Sequence, residues 1–255
     1  MRHINEFLVN KRINKKIDNI QYIPKSIDEL KNLIKDLLDK KIYDLNCIDV
    51  SNIIDMQYLF YDIGMSAIEE KSIDISLWDV SSVRFMQGMF KDCKLFNSNI
   101  SKWDVSSVRD MSTMFSCCES FNQDLSNWNI SNVTSTIGMF EFCYKFEGKG
   151  LKNWDVSKVD GAYAMFLDCT KFNEDIGNWN VSNIINMSHM FSNSGFNQDI
   201  SNWDVSKCVN FTNMFAFDRN FNKDLSKWNI NKDAYTKNMF NQCTSLKIKP
   251  SWYKE

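Results

Sequence analysis

Apolar and polar positions along the chain recur with a period near 25 residues. Trp stands at 78, 103, 128, 154, 179, 203, 228 and 252, at intervals of 25, 25, 26, 25, 24, 25 and 24, and no Trp falls outside the series. A Met-Phe pair runs in phase with it, ending at Phe90, Phe115, Phe140, Phe166, Phe191, Phe215 and Phe240, always twelve residues after a Trp. Two markers held in register over seven units identify a repeat architecture: no unit can cover its own apolar face, and stacking neighbours buries it. Aligned on Trp, one unit reads W-[DN]-[VI]-[SN]-x-V-x-x-M-x-x-M-F-x-x-C-x-x-F-N-x-[DN]-[IL]-S-x-W, and Trp103–Trp128 lies closest to it. Ile48, Val50, Ile53, Met56, Leu59 and Phe60 keep the same spacing with Ile in place of Trp. They form a degenerate first unit, 30 residues ahead of the next, with the extra residues around Gly64 to Lys71. Trp252 opens a further unit.

The period changes within a unit. Trp78 and Val80 alternate as a short strand would. Val83, Met86, Met89 and Phe90 recur at three and four, which predicts one or two helical turns or a 3₁₀ segment. Asn97, Asn122, Asn173, Asn197 and Asn222 precede the next apolar pair and read as turn residues. The predicted fold class is an α/β repeat: a leucine-rich-repeat-like solenoid of about eight 25-residue coils, each a short parallel strand plus a short helical segment. An N-terminal capping helix completes it. Ser26-Ile27-Asp28-Glu29 fits a capping box with Ser26 as N-cap and Glu29 at N3. Ile27, Leu30, Leu33, Ile34, Leu37 and Leu38 then make one apolar stripe over residues 27–40. Such a helix would cover the exposed edge of the first coil. The organisation that follows is a basic arm over 1–21 (Lys11, Arg12, Lys15, Lys16), a cap over 22–47, solenoid repeats over 48–248 and an end segment over 249–255. Trp252 and Tyr253 in that end segment either close the stack or offer a surface for self-association.

The stretches DVSSVRDMSTMF, NVSNIINMSHMF and FNQDISNWDVS resemble the BspA-type leucine-rich repeat surface proteins, more narrowly their 25-residue Mycoplasma-type, DUF285-like version. M-F-x-x-C-x-x-F-N is also similar to the A-F-x-x-C-x-x-L of treponema-type repeats, and PKSIDELKNLIKDLLDKKIYDLNCIDVSNI to the cap that precedes such arrays. The resemblance spans about residues 22–248. It implies a leucine-rich-repeat-like scaffold used for binding or adhesion, with no catalytic residues to carry over.

Composition narrows the chemistry. Thirty basic and thirty-two acidic side chains leave a net charge of −2, so no charge excess advertises nucleic acid or membrane. Two His and few Arg leave the chain short of proton-transfer and phosphate-clamping groups. No segment approaches 18 apolar residues, and Phe7-Leu8-Val9 is too short for a secretory leader. The residues therefore point to a cytoplasmic or host-intracellular protein, and the resemblance to a surface or virion-associated one. Cys93, Cys118, Cys143, Cys169 and Cys243 share one position, fifteen after Trp, where Ser194 and Asp218 interrupt the column; the expected role is a buried packing thiol. Asp124, Asp175, Asp199 and Asp224 read as turn formers rather than calcium ligands. The Asp or Asn after each Trp (Asp79, Asp104, Asn129, Asp155, Asn180, Asp204, Asn229) reads as a backbone hydrogen-bonding residue. His189, at a variable position, reads as a surface residue.

With the core positions assigned to packing, function falls to those that vary. Positions four and six after Trp flank the inward Val and should share an outer face: Ser82/Arg84, Ser107/Arg109, Asn132/Thr134, Lys158/Asp160, Asn183/Ile185 and Lys207/Val209. The candidate partner-binding residues are Arg84, Arg109, Thr134, Lys158, Asn183 and Lys207. The expected function is a non-catalytic scaffold recognising a protein or glycan through this extended face, with no catalytic, cofactor or metal site, no nucleic-acid partner and no membrane insertion. The alternative is a structural or assembly component, an oligomer-forming or phage or virion accessory protein.

Overall fold

The computed structural model of the chain describes residues 22–64 and 73–253. The basic arm and all of the first-unit insertion after Gly64 lie outside the described residues.

The first element is helix α1 (Ile27–Asp39), one residue shorter than the apolar stripe predicts. Ser26 begins it in extended backbone and accepts a hydrogen bond from the Glu29 N–H at 3.1 Å. The Glu29 carboxylate turns back to the Lys25 N–H at 2.7 Å, one residue before the cap, so the capping box closes one position early. At the other end Lys41 adopts a left-handed conformation. Its N–H reaches Leu38 O, and the Ile42 N–H reaches Leu37 O at 2.9 Å, which satisfies the last carbonyls. Leu30, Ile34 and Leu37 are buried in the common core, with Ile27, Leu33 and Leu38 resting on it. A short helix α2 (Leu59–Asp62) lies in the first unit and meets α1, where Lys31 pairs with Asp62 at 2.7 Å.

The units themselves correct the expected α/β solenoid. Among the described residues there is no strand and no sheet, and beyond α1 and α2 only a 3₁₀ turn, Leu151–Asn153. The spacing that suggested helix is satisfied by consecutive four-residue β-turns. Val83 N–H bonds Val80 O, Met89 N–H bonds Met86 O, Cys93 N–H bonds Phe90 O and Phe96 N–H bonds Cys93 O. Left-handed residues at the third position of these turns prevent a helix from propagating: Gly88 (φ 57) and Asp92 (φ 60) in this unit, Thr113 (φ 52) and Cys117 (φ 60) in the next. The Trp-x-Val alternation comes from the same turns, because Val80 O is already spent on Val83.

Neighbouring units are held by isolated parallel bridges: Asp55↔Phe85, Phe85↔Asp110, Asp110↔Ser135, Ser135↔Gly161, Gly161↔Asn186, Asn186↔Asn210 and Asn210↔Tyr235. Around each bridge the N–H groups that the turns leave free point to the following unit. Met86, Gly88, Phe90 and Asp92 donate to Asp110, Ser112, Met114 and Ser116. The pattern recurs until Phe211, Asn213, Phe215 and Phe217 donate to Tyr235, Lys237, Met239 and Asn241. Backbone polar groups are thus paired without any regular strand.

The core is a set of aromatic columns. Within units, Phe90–Phe96, Phe115–Phe121 and Phe166–Phe172 stack at 3.9, 4.1 and 3.9 Å between ring centroids. Across units, Phe90–Phe115, Phe115–Phe140 and Phe140–Phe166 lie 5.6, 5.6 and 5.8 Å apart and nearly parallel. Pairs in this range contribute about 0.5–1.5 kcal/mol each beyond the area they bury. The Trp column is buried from Trp78 to Trp228, and every indole N–H finds an acceptor one unit back. Trp103, Trp128 and Trp179 donate to Ile75 O, Ile100 O and Leu151 O at 3.2, 3.1 and 2.8 Å. The same carbonyl also accepts the backbone N–H of its own unit's Trp, as Ile100 O does from Trp103, so both lone pairs are used. Asparagines tie the outer turns: Asn97 Oδ1 accepts the Asn122 N–H at 2.9 Å, and Asn122 Oδ1 the Glu147 N–H at 3.0 Å. These residues, read as local turn formers, bond the next unit.

Candidate functional site

The outer row begins at the backbone. Arg109 N–H donates to Arg84 O, Thr134 N–H to Arg109 O, Asp160 N–H to Thr134 O, Ile185 N–H to Asp160 O and Val209 N–H to Ile185 O, at 2.8–3.0 Å. This ladder sets the sixth residue after each Trp beside its equivalents, with its side chain exposed because the preceding Val (or Ile184, or Cys208) points into the core. The fourth residue after Trp forms a parallel row linked by its own side chains. Asn132 Nδ2 donates to Ser106 O at 2.9 Å and its Oδ1 accepts from Lys158 Nζ at 2.7 Å. One step on, Asn183 Nδ2 donates to Ser157 O and its Oδ1 accepts from Lys207 Nζ, both at 2.7 Å.

Where the rows run together they line an open groove of about 680 Å³. Arg84, Arg109, Thr134 and Lys158 line it, with Ser106, Ser107 and Asn132. Of the six candidate residues, four therefore meet in one groove. Asn183 and Lys207 are joined to each other farther along the stack and do not line it. Ser106 was missed, because it occupies a position that reads as a plain turn residue, Ser in six units and Asn231 in the Trp228 unit. Neither guanidinium has an ion-pair or hydrogen-bond partner among the described residues. Lys158 is held by Asn132, and Thr134 Oγ1 donates to Arg109 O at 3.2 Å. Among the described residues no carboxylate lines the groove. The arrangement presents a row of hydrogen-bond donors, two of them permanently charged, to an exposed ligand.

The other candidates are committed elsewhere. All eight cysteines are free thiols, and those of the repeat column are buried. Cys118, Cys143 and Cys169 donate to Phe90 O, Phe115 O and Phe140 O at 3.0, 3.0 and 2.9 Å, one unit back, as the indoles do. Burial pushes the Cys93 thiol up to about 12, with the charge of Asp92 adding to it, and raises Cys118 and Cys143 well above the usual thiol range. The carboxyl groups after Trp accept the N–H two residues on: Asp104 from Ser106 and Asp155 from Ser157, both at 3.0 Å. Asp124 does the same for Ser126 at 2.9 Å. Lys149, 2.8 Å away, together with Ser126 lowers Asp124 to about 2. Among the described residues no group of three or more His, Cys, Asp or Glu is placed to hold a metal ion. His189 is half-buried rather than a free surface residue: its ring meets Tyr163 edge-on at 5.7 Å and lies 3.2 Å from Asn213, and burial lowers its pKa.

The two departures from the Cys column pair with each other. Ser194 Oγ donates to Asp218 Oδ2 at 3.0 Å, and Asp218 Oδ1 accepts the N–H groups of Asn220 and Phe221. Burial nevertheless raises the Asp218 carboxyl to about 7. At the far end Tyr253 meets Phe240 edge-on at 5.1 Å, and Trp252 stacks on Trp228 at 6.2 Å and donates to Leu225 O, continuing both columns. A smaller groove of about 270 Å³, between Phe240, Lys249 and Tyr253, lies there. Among the described residues no helix is long and apolar enough to cross a membrane.

The model of a family described as "Mycoplasma protein of unknown function, DUF285" matches the chain three times, over residues 28–149, 55–174 and 138–253. No curated protein and no solved structure matches it.

Proposed function

The chain belongs to the DUF285 family, whose repeat fills it from the capping helix to Tyr253, and from that premise we propose that it is a non-catalytic binding scaffold that recognises a protein or glycan partner through its outer row. The observation that carries this reading is the groove lined by Arg84, Arg109, Thr134 and Lys158, in which two guanidinium groups without a partner among the described residues share one open space with the Thr134 and Lys158 side chains of the next two units. The polar side chains of the remaining repeat positions support it. Their Asp and Asn groups accept backbone N–H groups of their own or the next unit, and the thiols of the Cys column are buried, which raises their pKa. Neither set is poised for acid–base or nucleophilic work. A face built from stacked units suits an extended ligand, whose groups meet several units at once.

Photo-cross-linking tests this reading. A photoreactive residue replacing Ser107 in the groove is compared with one replacing Gln198 on the asparagine-ladder side, in the cells that make the protein. A defined adduct from position 107 alone is expected, and its loss when Arg84 and Arg109 are replaced by Ser. Adducts that form as readily from position 198, or none from either, overturn the proposal.

A further inference from the structure

We infer that the groove between the Arg84 and Lys158 units is a sulfate-group site for a linear sulfated polysaccharide, a deepening that rests on the binding reading above. The donors decide the class. Arg84 and Arg109 sit on adjacent units, whose spacing is about 5 Å, and neither guanidinium has a partner within the described residues. One charged group lying between them is within reach of both. Ser107 faces the same space from the unit of Arg109, and Thr134 and the Lys158 ammonium from two further units. Charged and hydroxyl donors side by side along the row can engage several oxygens of one charged group, and a sulfate group offers three where a carboxylate offers two. Among the described residues no aromatic side chain lines the groove to give a neutral sugar a stacking platform. The cations also continue beyond the groove, with Lys207 held by Asn183 in the same row. A polymer carrying charge at intervals uses such a row, whereas a single phosphorylated residue engages only one part of it. Asp160 follows Thr134 in the ladder and interrupts the basic stretch, which fixes where the polymer's charged groups can lie. The protein as a whole is net −2, so attraction to a polyanion has to come from this local cluster rather than from overall charge.

The test uses the whole chain and three probes: a heparin octasaccharide, the same octasaccharide fully desulfated, and poly-L-glutamate of matched length, each followed by calorimetry at low and physiological salt. Expected is binding of the sulfated probe that weakens between about 50 and 200 mM salt. An Arg84→Ala/Arg109→Ala variant should then lose about tenfold or more of that affinity, the scale of a charge-assisted contact, with unchanged Trp fluorescence. Arg84→Lys should restore only part of the loss, since a point charge lacks the guanidinium fork. Equal binding of the desulfated probe, or sulfated binding indifferent to the double variant, overturns the assignment. Poly-L-glutamate bound through Arg84 and Arg109 in preference to heparin would overturn the sulfate class while leaving the binding face intact. Indifference of every probe to the double variant would remove both.

Discussion

Asp218 departs furthest from the rule of its own column. Its neighbours in the stack are Ser194 and the Cys243 thiol, and burial outweighs the three hydrogen bonds that would favour its ionised form, raising it from 3.8 to about 7. The folded state therefore prefers the neutral acid. Stability from this residue is complete below about pH 4 and is lost as the pH rises through 7. Thermal unfolding of the native chain and of Asp218→Cys, compared across pH 4 to 8, should show a melting temperature that falls with pH only in the native chain. A parallel pH profile for both would refute the raised carboxyl. The tryptophans make the opposite case, a polar atom satisfied in every unit. Trp128→Phe keeps the stacked ring but removes the donor to Ile100 O. It should cost about 1–2 kcal/mol in chemical denaturation, a lost hydrogen bond plus a small void. In the first unit Ile48 replaces Trp and brings no indole donor, while Leu45 O accepts from the Ile48 N–H and from the Trp78 indole as its counterparts do in later units. Burial of the Trp, Met-Phe and Cys columns was legible from periodicity, because fixed-period apolar residues have nowhere else to go. Their hydrogen bonds to the preceding unit were not, because the acceptors are main-chain carbonyls that no side-chain pattern records.

At the scale of the element, α1 follows from its sequence to within one residue: its cap, its stripe and its end are local. The unit does not. Spacing of three and four is shared by a helix and by a run of four-residue β-turns, and only the backbone at positions ten and fourteen after Trp separates the two. Gly88, Gly138, Asn213, Asp92, Asp168 and Asn193 at these positions tolerate left-handed backbone, but Thr113, Ala164, Phe142 and Phe217 adopt it as well and hide the signal. Thr113 is the most strained of these, β-branched at φ 52 with a buried hydroxyl that has no partner among the described residues. Thr113→Gly should raise stability by about 1 kcal/mol, the reverse of the usual effect of glycine. A loss of that size would show that Thr113 is not left-handed. In α1, Ile34→Ala removes a fully buried side chain and should cost about 2–4 kcal/mol. A cost near zero by denaturation would mean that the helix does not pack on the first unit.

For the molecule as a whole, each unit's free N–H groups meet the carbonyls of the next, and each aromatic ring lies on its counterpart. The outer row is a by-product of that register: residues four and six after Trp become neighbours because the residues between them are buried. Arg84, Arg109, Thr134 and Lys158 could be named from the repeat for this reason, while the end of the groove before Asn183 depends on side-chain bonds within the row. The whole construction rests on the indoles lying inside and donating one unit back. Hydrogen exchange of the tryptophan indole N–H groups, followed by NMR in the intact protein, reads this directly. Trp78, Trp103, Trp128, Trp154, Trp179, Trp203 and Trp228, all buried and bonded, should exchange slowly and lose protection together on unfolding, with the half-buried Trp252 exchanging faster. Indoles that exchange at the rate of free tryptophan in the folded protein would contradict the stacked architecture, and with it the face on which binding is proposed.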